Sequence, residues 1–104
     1  MTYKIDQSDD SIRDIFDILD YLTKILFAAK AARRFSEELE ICYNRLRKAP
    51  FIYPLCLDKP LADKGLRYAP VMGYIVFYTV DEKNFVVRIH RILHGTMDYV
   101  KRLL

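Results

Sequence analysis

Gly65–Gly95 reads "GLRYAPVMGYIVFYTVDEKNFVVRIHRILHG", and the fold turns on its punctuation. "LRYA" is a short β-prone run closed by Pro70, and "PVMG" supplies turn residues. "YIVFYTV" is a long run of β-branched and aromatic side chains, and "DEKN" is a polar hairpin turn. "FVVRIHRIL" is a second strong strand. Three antiparallel strands joined by tight turns follow. Alternation along the last strand puts Phe85, Val87, Ile89, Arg91 and Leu93 on one side, the expected core face. Val86, Arg88, His90, Ile92 and His94 take the other side. Arg88, His90 and His94 would then form a cationic, titratable stripe on an open sheet face. Arg91 on the core side needs a partner, a place at the sheet margin, or a bulge that turns it out. An acid of the first helix or Asp98 could serve.

Upstream of the strands the period changes from two to about 3.6. Ile12, Ile15, Leu19, Leu22 and Leu26 form one apolar seam. Ala28, Ala32, Phe35, Leu39, Cys42 and Leu46 form a second, out of phase with the first. A straight helix cannot easily bury both seams against one partner. The phase jump therefore predicts two helices folded back as a hairpin, with the turn in residues 23–28; one long kinked helix is the alternative. Asp9, Asp10 or Ser11 is expected to cap the first helix. The second ends before Pro50, after the cationic "RLRK" that suits a helix C-terminus. A loop with Pro50, Pro54 and Pro60 then runs to Gly65. Its apolar residues Phe51, Ile52, Tyr53, Leu55 and Leu57 suggest that it lies against the body. "TYKI" near the N-terminus is a candidate edge strand, and the last seven residues are a candidate short helix. The fold class is α+β, a small antiparallel sheet with an N-terminal helical hairpin on one face, in a single domain spanning 1–104.

Charge and cysteine usage narrow the classes. Residues 1–52 carry nine Lys/Arg and nine Asp/Glu, whereas residues 53–104 carry eight and five and so hold the whole net charge of +3. A mildly basic half suits an anionic partner or simply a solvated surface. Cys42 and Cys56 sit in apolar contexts without metal-ligand spacing, so they read as buried thiols, with no metal site and no cofactor expected. No apolar leader or membrane span is visible, and a soluble cytoplasmic protein is expected. No Ser-His-Asp order or glycine-rich phosphate loop is present. The clustering of Arg, His and Tyr in the strands does allow phosphate positioning and proton transfer.

Four pieces fall in one family's order: "AARRF" (Ala31–Phe35), "GLR" (Gly65–Arg67), "YIVFY" (Tyr74–Tyr78) and "RILHG" (Arg91–Gly95) with Asp98. Together they resemble the RelE/ParE toxin superfamily of bacterial type II toxin–antitoxin systems, over nearly the whole chain. The resemblance implies a growth-inhibiting toxin, often serving plasmid stabilisation, that is neutralised by a cognate antitoxin. The antitoxin would lay an extended, partly helical segment across the apolar loop and the open sheet face, in a toxin–antitoxin hetero-oligomer, and a homodimer is the other assembly considered. RelE-like members cleave mRNA on the ribosome, and ParE-like members inhibit DNA gyrase. In a RelE-like chain, Arg67 and His94 would be the catalytic pair. In either case Arg67, Tyr78, Arg88, His90, Arg91, His94 and Tyr99 are the candidates for contact with target or antitoxin. Two departures favour the ParE-like branch. Met97 precedes Asp98 where many relatives carry arginine, and Ile75 follows Tyr74 where Tyr-Arg is common. Each removes a positive charge that phosphate contact would use.

Overall fold

The computed structural model describes residues 2–103. β1 (Lys4–Gln7) leads into α1 (Asp9–Asp20), which continues as a π-helical turn over Tyr21–Ile25. α2 (Ala29–Lys48), α3 (Lys59–Asp63), β2 (Arg67–Val71), β3 (Tyr74–Asp81), β4 (Val86–His94) and α4 (Tyr99–Leu103) follow in order. The sheet order is β1-β4-β3-β2. β2–β3 and β3–β4 pair antiparallel, as their hairpins require, while β1 adds a parallel pair, Lys4 opposite Val86 through Gln7 opposite Ile89. The expected α+β architecture therefore holds, with a mixed sheet. Leu104, the last residue of the expected C-terminal helix, lies outside the described residues.

The helical hairpin forms without glycine or proline. The Leu26 amide donates to Tyr21 O at 3.0 Å, a five-residue step, and the Ala28 amide reaches Leu22 O at 2.7 Å. Phe27, at φ 50°, makes the reversal in the left-handed region that side chains disfavour. The two-residue β2–β3 turn has Met72 at φ 50° and Gly73 at φ 83°, the signs of a type I′ hairpin. Gly95 approaches this turn closely, its amide 2.9 Å from Gly73 O. A Cβ added at Gly95 would stand 3.2 Å from that oxygen. β2 runs through Pro70, which an edge strand tolerates.

Two apolar clusters cover the two faces of the sheet. On one, Ile18, Leu22, Phe35, Leu39, Cys42 and Leu46 of the hairpin pack on Val71, Val76, Tyr78, Val87, Ile89 and Ile92. On the other, Cys56, Leu61, Leu66, Phe77 and Leu93 form a smaller cluster that Tyr99, Val100 and Leu103 of α4 help to cover. The second face is therefore not open as expected, because α3 and α4 fold onto it. α3 sits where the sequence indicates only loop; Pro60 enters it at the first turn, where a missing amide costs nothing.

A β-bulge changes the expected pattern of β4. Phe77 stands opposite Arg91, but Tyr78 stands opposite Ile89, so His90 is an extra residue. Side-chain phase slips by one at that point. Val87, Ile89 and Ile92 face the hairpin, and Leu93 turns to the second cluster. Phe85 is not in the core at all; it is exposed, at φ 55°, in the β3–β4 turn. Strict alternation placed Leu93 and Phe85 on the core face, and the bulge and the turn overrule it.

Candidate functional site

Where β1 ends, the edge of β4 passes to α1. The Ser8 amide donates to Ile89 O at 3.0 Å and its hydroxyl to His90 O at 2.8 Å. The same hydroxyl accepts from the Ser11 amide at 3.0 Å, so Ser8, and not Asp9, Asp10 or Ser11, caps α1. One turn on, Asp14 receives both the Arg91 guanidinium and a strand amide. Arg91 Nε and Nη2 lie 2.8 and 2.9 Å from its two carboxylate oxygens, and the Ile92 amide donates at 2.9 Å. Hydrogen bonding to Asp14 holds the guanidinium above its ordinary pKa. Arg91 thus finds its partner in the first helix and not in Asp98, and it fastens helix to strand. Ser8 and Asp14 satisfy backbone groups that β4 would otherwise leave bare at its edge.

Beside this clamp opens an apolar groove of about 860 Å³. Its walls are Asp17, Ile18, Tyr21, Leu22 and Leu26 from the hairpin, Met72 and Tyr74 from the β2–β3 turn, and Ile92, His94, Met97 and Arg102 from the end of the chain. Leu26, Tyr21 and Met72 remain exposed there, and Phe27 at the hairpin tip is 86 % exposed. Asp17 on one wall and Arg102 on the other give the groove two oppositely charged sides. None of the hairpin residues here was among the sequence candidates. The signal available was "TKILFAA", an apolar stretch at a chain reversal without turn-formers.

The candidates named from sequence are scattered. The bulge sends His94 to the hairpin face, at the mouth of the groove, so Arg88, His90 and His94 do not form one stripe. His94 packs edge-on against Tyr74 with ring centres 5.3 Å apart, and its Nδ1 lies 2.7 Å from Thr96 Oγ1. His90 stays on the other face, half-buried, with Nε2 2.7 Å from Thr79 Oγ1. Burial first, and the Arg88 charge second, press its pKa below the ordinary 6.5. Arg88 pairs with Asp81 at 2.9 Å. The Asn84 side chain, the Arg88 guanidinium and the Asn84 amide hold the Asp81 carboxyl down at about 2. Tyr78 is fully buried, donates to Pro50 O at 2.9 Å, and is pushed up to about 12 by burial. Tyr99, the first residue of α4, stacks at a tilt on Phe77, 5.1 Å away. Arg67 donates to Tyr53 O at 2.7 Å and lies over the Phe51 ring at 4.9 Å.

Arg67 and His94 are not brought together. Arg67 pairs with Tyr78 and His94 with Tyr74, four residues apart on β3, roughly 13 Å along the strand, and they are separated further across the sheet. Among the described residues no group of three or more His, Cys, Asp or Glu is placed to hold a metal ion. No helix among them is long and apolar enough to cross a membrane.

The family model described as "ParE toxin of type II toxin-antitoxin system, parDE" matches residues 5–99. The chain belongs to this family. As a ParE-family toxin it shares its fold with solved relatives of low sequence identity. The chromosomal ParDE system of P. aeruginosa has a chain that superposes with a TM-score of 0.68 at 14% identity, covering 89% of this chain and 96% of that one. A mutant of the E. coli toxin RelE in the free state gives 0.66 at 16% identity, with all of both chains covered. The toxin–antitoxin complex RelBE2 of Mycobacterium tuberculosis gives 0.61 at 17%, covering 90% of this ParE-family chain and 99% of that one. The comparison with curated protein sequences gave no match. At these identities the structural likeness concerns the fold.

Proposed function

We propose that this ParE-family toxin acts on DNA gyrase by surface contact, not by cutting RNA, and that a cognate antitoxin silences it by filling the groove beside α1. One observation carries the choice of target. The strand arginines are engaged within the chain: Arg67 with Tyr53 O and the Phe51 ring, Arg88 with Asp81, and Arg91 with Asp14. In the RelE-like reading Arg67 would have to be free to meet a phosphate beside His94 as the group that moves a proton. Here His94 sits far along the sheet from Arg67 and touches Tyr74 and Thr96 instead.

The groove supports the antitoxin assignment. It is concave and largely apolar, which suits an amphipathic helix or an extended segment. A segment ordering there would raise the melting temperature by mass action. Solved relatives that include toxin–antitoxin complexes point the same way.

Purified toxin added to a gyrase supercoiling reaction should inhibit it, and inhibition should survive His94→Ala. Cells arrested by the toxin should keep intact mRNA and show altered plasmid supercoiling. Codon-phased mRNA cuts that disappear in His94→Ala would establish the RelE-like alternative, with Arg67 and His94 in catalytic roles.

A further inference from the structure

The Pro50–Leu57 loop combines a backbone tied down by hydrogen bonds with bare apolar side chains. Its backbone is pinned at five points. Tyr78 donates to Pro50 O, Ile52 N to Ala49 O, Arg67 to Tyr53 O, Tyr68 N to Pro54 O, and Cys56 N to Leu66 O. Leu55 also bridges to Arg67 on the sheet edge. Yet Ile52 is 58 % exposed and Leu57 90 %, with Phe51 and Leu55 also bare. A loop without a partner needs no such side chains, and solvent favours their removal. Rigid presentation lowers the entropy lost when a partner docks.

The surroundings give the partner's chemistry. Residues 49–57 carry no charge of their own. The last turn of α2 beside them supplies Arg45, Arg47 and Lys48, and Arg45 lies 3.4 Å from the Tyr53 hydroxyl. Arg67 also borders the loop, over the Phe51 ring. Among the described residues, Arg47 is the one α2 cation with an acidic partner, Glu40 at 3.1 Å. The patch is therefore aliphatic at its centre and mainly cationic at its margin, where Arg45, Lys48 and Arg67 outnumber the Asp58 carboxylate next to Leu57. Phosphate backbones offer nothing to Ile52, Leu55 and Leu57, whereas an apolar protein ridge edged by carboxylates fits both parts.

We infer that the Phe51–Leu57 loop, with Arg45 and Lys48, is the surface by which the toxin grips its target, and that the matching target surface is an acidic, apolar protein segment. This rests on the gyrase reading for the identity of the target, but not for the location of the surface. The groove opens beside Tyr74 and His94, four residues along β3 from the strand position that Arg67 pairs with, so the two docking surfaces are separate.

The test uses the full chain with Ile52→Glu, Leu57→Glu and Lys48→Glu, and Lys30→Gln on the exposed start of α2 as a control. Each is checked for an unchanged melting temperature, then for growth arrest and for binding to purified gyrase. The three loop-region variants should lose growth arrest and weaken gyrase binding by about tenfold or more, while Lys30→Gln stays within about twofold. Wild-type binding should weaken as salt rises. Folded loop variants that arrest growth like wild type overturn the inference, whatever gyrase does. Wild type that arrests growth without binding gyrase overturns the gyrase reading, and loss of arrest in the loop variants then still supports the surface. If arrest comes with mRNA cleavage that the loop variants lose, the surface holds RNA and the protein-partner assignment fails. A wild type that neither arrests growth nor binds gyrase overturns both.

Discussion

The two long helices present opposite lessons. The buried residues of α2 are Ala32, Phe35, Leu39, Cys42, Tyr43 and Leu46, and all but Tyr43 lie on the seam that its sequence spells. The buried residues of α1 are Ser11, Asp14 and Ile18, with Leu22 just beyond it. Its sequence spells Ile12, Ile15, Leu19, Leu22 and Leu26 instead. Of these only Leu22 is buried, Ile15 and Leu19 are half-buried, and Ile12 and Leu26 are exposed. α1 is rotated by about one residue relative to its apolar seam. The cause is its neighbour. α2 packs on the apolar side chains of a sheet face, whereas α1 runs along a strand edge whose polar backbone groups need partners. Ser8 and Asp14 supply them, and a polar residue that serves this purpose is invisible to a hydrophobic pattern.

Substitutions can break or sharpen this contrast. Phe35→Ala removes a fully buried ring from the α2 seam. It should destabilise the fold by about 4 kcal/mol in chemical unfolding. A loss below about 1 kcal/mol would mean that the site collapses and that α2 is not held by packing.

Asp14→Ala, a polar change on the rotated helix, should cost about 3 kcal/mol. That is the low end for a broken buried pair, because Arg91 keeps some water contact, with 22% of its side chain exposed against 10% for Asp14. A neutral outcome would return α1 to the position its apolar seam implies. The double replacement Asp14→Leu with Arg91→Leu separates the two tasks of Asp14. It should recover most of the loss but leave about 1 kcal/mol, because the Ile92 amide still lacks its acceptor. Full recovery would show that the strand edge needs no partner there.

Ile12→Ala should change stability by less than about 0.5 kcal/mol, although Ile12 opens the apolar seam, because it is exposed. A core-sized loss would restore the seam as written.

The smallest effect lies on the second face. His90 titrates lower in the fold than in the unfolded chain, where its pKa is near 6.5. The unfolded chain therefore binds the proton more readily, and stability is lost as pH falls below about 6.5 towards the lower folded value. His90→Phe should remove that slope, seen as a melting temperature that no longer declines between about pH 7 and 5. An unchanged slope would place the sensitive group elsewhere.

By itself the sequence determined the α+β class, the helical hairpin and its phase jump, the end of α2 before Pro50, the four strands in order with the first at an edge, and the family. Each is written in local periodicity, punctuation or motif order, which a chain carries without folding. The tertiary structure alone decided the parallel docking of β1, the bulge at His90, the rotation of α1 and the covering of the second face by α3 and α4. All four depend on which backbone groups and side chains meet across long separations in the chain. The candidate site divides along the same line. Arg91's need for a partner was legible from one strand, but the partner itself, 77 residues away, was not. His94 was legible as the end of a strand, but one extra residue in β4 moved it to the opposite face, because a pleated strand reverses its side chains at every step.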